Sequence, residues 1–403
     1  LCGVREVKRL FLSDLHIGDG SAKDDFEFDV ELSNLIIDFA QHQDAEIVIV
    51  GDGFELIESR AVKEMGLIPF DQLGKQLDGS VIDSVARKHP VVFDAIRQFT
   101  RNHNIFYVVG NHDYYLLSNK SIRERAAELL NIQIVPYYYN PDIGILAMHG
   151  NQFDIINKFG YDKKNKTLVP PLGDYIARYM MFYFDEYIQS MVPLEVMRDY
   201  DNVRPALDVF HWFDRAVEVY DLGVDVLELW TSTFLQMMRS SQAKFWMKKN
   251  FPIMHCFSKL FLNRMGGMNL GSILVRTTMK IRSFRKTDYL YKTARQMLKG
   301  KRKLTSSDLL GYCTQPPEID GVNGIIFGHI HHNCLRIIPH DGQNKFYINC
   351  GSWRPVVEKV NGKKRYGFQR KAELFYAVII DNPGSDLEII TSVTNKMNRN
   401  RAL

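Results

Sequence analysis

Ile105-Phe106-Tyr107-Val108-Val109-Gly110-Asn111-His112-Asp113 is the stretch on which the reading of this chain turns. Five residues that are all β-branched or aromatic fit a buried strand, and the Gly-Asn that follows ends it in a sharp turn. An amide oxygen, an imidazole and a carboxylate then stand on three successive residues of the strand tip. Such a triplet can offer a metal ligand, a proton donor and a residue to orient it. Alone it is ordinary turn chemistry, because Asn and Asp tolerate turns and bond their own backbone.

Working outward, the design recurs. Arg9 to Leu12 runs into Ser13-Asp14-Leu15-His16, and residues two apart in extended chain point to one side, so Asp14 and His16 can reach one ion. Glu46 to Val50 ends in Gly51-Asp52-Gly53, whose glycines permit close approach to Asp52. Gly144 to Met148 ends in His149-Gly150, and Asn323 to Gly328 leads into His329-Ile330-His331-His332. A solvated Asp or a hydrogen-bonded buried His accounts for any one tip. Five together point to a site. Helical spacing in Asn34 to Gln41, Val91 to Asn102 and Ile122 to Leu130 separates the strands, so the pattern predicts an α/β fold with the site along the C-terminal strand edge. The stretch from Glu58 to Lys88 shows no clear period and reads as a loop with short helices.

The donors at these tips are carboxylate, amide and imidazole, with no thiolate. That set suits divalent manganese, iron, zinc or cobalt and disfavours calcium, which takes oxygen alone. Asp14, His16, Asp52, Asn111, His149, His329 and His331 are too many for one tetrahedral ion and fit two ions that share a carboxylate.

With 403 residues, 45% hydrophobic and 24% charged, the chain is globular material with room for a large domain and an insertion. Cys2, Cys256, Cys313, Cys334 and Cys350 are scattered with no C-x-x-C pair, which fits core thiols in a reducing compartment. No eighteen-residue run is free of charge, and Leu10 to Leu12 is too short for a signal peptide. A cytoplasmic protein, with peripheral membrane attachment as an option, is the expectation.

Residues 1–150 and 318–394 read as the core, 151–317 as a helical insertion and 395–403 as a basic tail. Within the insertion, helices are expected over Asp174 to Met191, Val224 to Lys249, Pro252 to Met265 and Ser272 to Lys299. Between Arg239 and Lys303 stand seventeen Lys or Arg and one acidic residue, whereas Asp174 to Glu228 holds four Arg and twelve acidic residues. The two halves can pair with each other, but the basic half keeps a surplus. Its interleaved Phe245, Trp246, Phe251, Phe257 and Phe261 favour an anionic membrane surface as its partner, with single-stranded nucleic acid as the alternative. Oligomeric state is left open.

The motif order D-x-H, GD, GNHD, H and GHxH resembles the calcineurin-like metallophosphoesterase superfamily, over roughly residues 9–150 and 323–353. The resemblance implies two packed mixed β-sheets flanked by helices, a four-layer sandwich. It also implies that Asp14, His16 and His331 hold one metal, that Asn111, His149 and His329 hold the other, and that Asp52 bridges them. His112 would protonate the leaving oxygen, with Asp113 as a candidate for orienting it, and His332 matches no ligand position. Leu56 stands where phosphoprotein phosphatases carry the Arg of GDxxDR, which argues against them. Gly51 to Glu55 as GD-x-F-E, His149 to Asp154 as HG-x-x-F-D and Gly351-Ser352-Trp353 instead resemble UDP-2,3-diacylglucosamine hydrolases and their bacterial relatives, although those carry Arg at the position of His112. The expected activity is two-metal hydrolysis of a phosphodiester or pyrophosphate in a lipid-linked or nucleotide-containing substrate. A nuclease or cyclic nucleotide phosphodiesterase, and a non-catalytic scaffold of the same fold, are the alternatives.

Overall fold

Apolar runs that lack strict alternation become strands buried on both faces. In the computed structural model, Leu10 and Leu12 face one core and Phe11 the other, as Ile47 and Ile49 do against Val48 and Val50. The structure describes residues 6–154, 156–162, 167–204, 208–250, 288–306, 308–309, 321–361, 366–382 and 384–396. The expected helix Pro252 to Met265, with Phe257 and Phe261, lies outside them, as do residues 272–287, Cys2, Cys256, Cys313 and the tail beyond Lys396.

The strands in chain order are β1 (Val7–Leu12), β2 (Ala45–Val50), β3 (Asn104–Val108), β4 (Gln133–Val135), β5 (Tyr138–Asn140), β6 (Ile145–Ala147), β7 (Gly160–Asp162), β8 (Thr167–Val169), β9 (Val203–Arg204), β10 (Gly324–Phe327), β11 (Asn333–His340), β12 (Gln343–Cys350), β13 (Val356–Asn361), β14 (Tyr366–Asp381) and β15 (Glu388–Lys396). An eight-stranded sheet has the order β4-β3-β2-β1-β14-β13-β9, with β15 added on β14, and a five-stranded sheet has the order β11-β12-β10-β6-β5. Both are mixed: β1 pairs parallel with β2 and antiparallel with β14, and β10 pairs parallel with β6 and β12 while β11 and β12 form a hairpin.

Phe11, Val48, Val108, Ala147, Ile326 and Ile348 fill the space between the sheets. Helices Asp29–Phe39, Ser80–Lys88, Pro90–Phe99 and Lys120–Leu130 cover the outer face of the large sheet. On the small sheet Leu146, Phe327 and Tyr347 meet Leu290, Ala294 and Leu298 of helix Asp288–Leu298. This is the α/β sandwich of two mixed sheets between helices that the sequence predicts.

The middle of the chain is more closely joined to the core than a helical insertion alone suggests. Helix Asp288–Leu298 falls within 151–317 yet forms an outer layer of the sandwich, because its apolar positions recur every four residues on one face. Strands β7 and β8 form a hairpin, and β9 joins the large sheet beside β13 through Val203 opposite Val357. The expected helix Asp174 to Met191 appears as Leu172–Met180 and Glu186–Ile188 on either side of a π-helical turn, Met181–Asp185. The helices that follow build a core of Phe184, Trp212, Phe213 and Val226, shared with Val357 and Phe368 of the large sheet. Among the described residues no helix is long and apolar enough to cross a membrane.

Candidate metal centre

Parallel pairing brings the polar tips together. Leu12 lies opposite Ile49 and Val50 opposite Val108, so β1, β2 and β3 end side by side. Beyond the strand ends the ladder continues: the backbone N–H of Asp14 donates to Gly51 O (3.1 Å) and that of His16 to Asp52 O (2.9 Å). The other sheet contributes its tips in the same way, Gly328 N–H donating to His149 O (3.0 Å). His329 N–H reaches across to Asp14 Oδ2 (2.9 Å), fastening the two sheets at the site.

Turning the side chains inward requires unusual backbone. Asp14, His16, Asp52, His329 and His331 all have φ between 50° and 73°, the left-handed region. For residues bearing a Cβ that conformation costs roughly 1–2 kcal/mol each, and such strain concentrates at functional sites. Gly51 (φ 84°) and Gly110 sit where a Cβ would strike the His149 ring and the Asp52 carboxylate.

Each carboxylate has one oxygen pinned and one turned inward. Asp14 Oδ2 accepts from Ser13 Oγ (2.6 Å) and His329 N–H, while Oδ1 lies 3.2 Å from His331 Nε2 and 3.9 Å from His16 Nε2. Asp52 Oδ1 accepts from His112 N–H (2.8 Å), while Oδ2 lies 3.0 Å from His149 Nε2 and 4.0 Å from His16 Nε2. Asp52 thus stands between the two groups of imidazoles, the place a bridging ligand needs. Among the described residues Asp14, His16 and His331 form one cluster of converging donor atoms, Asp52, His149 and His329 another, and His16, Glu55 and His112 a third.

The imidazoles are oriented from behind. His149 Nδ1 is 2.8 Å from Val50 O, His16 Nδ1 is 3.0 Å from Glu55 Oε2, and His329 Nε2 is 3.1 Å from Asp154 Oδ2. An acceptor on one ring nitrogen places the proton there and leaves the lone pair of the other for a metal. Asp14 Oδ1, His16 Nε2, Asn111 Oδ1 and His149 Nε2 are buried and make no hydrogen bond. Buried polar atoms without partners are costly. Four of them on three neighbouring strand tips fit divalent ions, and oxygen with imidazole is a donor set for such ions.

Electrostatics follow from crowding. Burial works against charge on Asp14 and Asp52, yet His149 holds both carboxyls down, Asp14 to about 2 and Asp52 well below the usual carboxylate range. Burial lowers the His16 pKa, and with Arg204 alongside it lowers that of His331 to about 3, so both imidazoles are neutral and available as ligands. His149 and His112 go the other way: burial opposes their charge, but Asp52 and Asp14 raise the pKa of His149 to about 9, and Glu55 and Asp52 raise that of His112 to about 10. The His112 side chain is 24% exposed, with Nδ1 2.7 Å from Glu55 Oε2 and its ring 4.6 Å from that of His16.

Asp113 does not orient His112. Its Oδ1 accepts from Gly110 N–H (2.5 Å) and its Oδ2 from Tyr107 OH (2.6 Å) and Gly53 N–H (3.1 Å), so it ties the Gly110 turn to the Gly51 turn. The carboxylate beside His112 is Glu55, whose Oε2 serves His16 as well. Glu55 and Asp154 both stand in the short motifs GD-x-F-E and HG-x-x-F-D, the one signal in sequence that marks them. Arg204 Nη2, 3.4 Å from His331 Nδ1, has no such signal.

No protein-family model matches the chain, and no curated protein matches it.

Proposed function

We propose that the chain is a two-metal phosphoesterase that hydrolyses a phosphodiester or pyrophosphate bond. The observation that carries the reading is the set of buried, unpartnered donor atoms, Asp14 Oδ1, His16 Nε2, Asn111 Oδ1 and His149 Nε2, on the strand tips beside Asp52, with His112 set against Glu55 at a more open edge. Asp14, His16 and His331 would hold one ion and Asn111, His149 and His329 the other, with Asp52 shared and manganese the preferred metal. When bound, such a pair supplies neutralisation of the phosphoryl oxygens and lowers the pKa of water.

The chain's own residues supply the rest. Val50 O, Glu55 and Asp154 fix imidazole tautomers, so the ligand lone pairs are set in advance of binding. His112 holds a proton at the more open edge of the site and delivers it to the leaving oxygen, with Glu55 keeping the ring charged and aimed. A lipid-linked or nucleotide-containing substrate is the finer reading, supported by the resemblance to UDP-2,3-diacylglucosamine hydrolases and by the basic, aromatic composition of 239–303.

The test is hydrolysis of a panel of lipid, nucleotide and nucleic-acid phosphodiesters by manganese-loaded protein, with product analysis. Two ions per chain and turnover of at least one substrate are expected. Asp52→Asn should bring metal content below two and nearly abolish hydrolysis, because its loss leaves two cations facing each other. Full occupancy with full activity in that variant refutes the bridge. Two bound ions with no turnover anywhere on the panel leaves a scaffold.

A further inference from the structure

Of the four site imidazoles, three have an acceptor at one ring nitrogen: Glu55 at His16, Val50 O at His149 and Asp154 at His329. His331 has a donor instead. Its Nδ1 lies 3.4 Å from Arg204 Nη2, while its Nε2 faces Asp14 Oδ1 at 3.2 Å. If the Nε2 lone pair of His331 is given to an ion, Nδ1 carries the proton and cannot accept from Arg204. The guanidinium then needs another acceptor.

Arg204 is built to present that donor. It lies on β9, which pairs parallel with β13 at Glu358, and its Nη1 is anchored to the carbonyl oxygens of Asp201 (2.7 Å) and Val203 (3.0 Å). Nη2 is left on the His331 side. Among the described residues no carboxylate forms an ion pair with it, although a half-buried guanidinium is costly without an anion. The neighbouring cations are already engaged: Arg354 bonds Asp25 (3.0 Å) with Glu55 and Glu58 at 3.9 Å, and Lys23 is taken by Asp185 and Asp201.

We propose that Arg204 binds the phosphoryl group of the substrate, so that the middle segment of the chain supplies the anion-gripping residue of a site whose metal ligands all come from the two sheets. A planar guanidinium suits phosphate oxygens, donating from Nη2 while Nη1 stays anchored. The inference rests on the two-ion reading above. It adds that phosphate affinity depends on a residue that is not a ligand.

The experiment titrates inorganic phosphate calorimetrically into the manganese-loaded protein and into Arg204→Ala and Arg204→Lys, with metal content measured in each. Arg204→Ala should keep two ions and lose on the order of 10–100-fold in phosphate affinity, as for a lost charge-assisted hydrogen bond. Arg204→Lys should recover part of that loss. KM for a soluble phosphodiester should rise more than kcat falls. If Arg204→Ala does not fold, the lysine variant decides: an affinity equal to wild type overturns the proposal. Unchanged phosphate affinity in Arg204→Ala overturns it while leaving the two-ion reading intact, and so does a fall in metal content, which would place Arg204 behind His331 as a support. Failure of wild type to take up manganese overturns both.

Discussion

His112 differs from its neighbours in what its ring can reach. The imidazoles of His16, His149 and His331 turn Nε2 toward Asp14 or Asp52, whereas His112 sets Nδ1 against Glu55 on a side chain more open to solvent than theirs. Glu55 and Asp52 hold it charged, up to about 10, and bound dications would draw that value down toward the range in which a donor is most effective. His112→Ala should therefore leave metal content intact and lower turnover by the roughly 10²–10⁴-fold typical of a lost general acid when the leaving group is an alcohol. Nitrophenolate needs no proton, so the same variant should lose far less with a nitrophenyl ester. Metal analysis with steady-state rates on both substrates checks this, and equal losses would remove the donor role.

At the scale of elements, the helices over the large sheet are held to one another partly by ion pairs whose strength varies with pH. His89, 1% exposed, opens helix Pro90–Phe99, and its Nδ1 meets Asp29 Oδ1 (2.8 Å) at the start of helix Asp29–Phe39, with Asp24 Oδ2 3.5 Å from Nε2. Burial alone would lower its pKa, but Asp24 and Asp29 raise it to about 9. A raised histidine pKa gives stability that is complete below the unfolded value near 6.5 and is lost as pH rises through the folded value. Wild type should accordingly lose about 2–3 kcal/mol between those limits from this group, after discount for the partial exposure of Asp29, and His89→Gln should flatten that slope. Denaturant unfolding at pH 6 and 9.5 measures it, and equal slopes in both proteins would rule the clamp out. Sequence makes these elements only partly visible. The strands bearing the site were legible because each is a short apolar run ended by its own ligand, so one window holds both signals. Strand β11 was not, because it lies at a sheet edge with Leu335 and Ile337 exposed, and β9 was not, because two residues become a strand only by pairing with β13 far along the chain. Glu55 was visible as a motif letter, but its role needed the meeting of His16 and His112 in space.

Across the whole molecule, the acidic half of the middle segment finds its bases in the sandwich. Lys23, 5% exposed, lies 3.3 Å from Asp185, contacts Asp201 and donates to Met197 O (3.2 Å). Arg354 bonds Asp25, which also accepts from Asn202 (2.6 Å), and Arg370 bonds Asp199 (3.0 Å). These contacts seat Leu194–Asp199 and β9 against the site, and so fix where Arg204 points. Burial of ions is no net gain by itself, but removing one partner strands the other in a dry place, at about 3–5 kcal/mol. Lys23→Met should therefore destabilise the protein by that order, and adding Asp201→Asn should recover at least about 1 kcal/mol, the coupling expected of residues in one network. Reversible denaturant unfolding of the two variants and wild type gives both numbers. The lock also predicts a functional consequence separable from stability. In the folded Lys23→Met protein the ligands from β1, β2, β3, β6 and β10 are untouched, so manganese stoichiometry should hold at two while phosphate affinity falls, as Arg204 loses its seat. A Lys23→Met protein within 1 kcal/mol of wild type, with phosphate affinity unchanged, would show that β9 is held by its backbone pairing and the shared core of Trp212, Phe213 and Val357 alone.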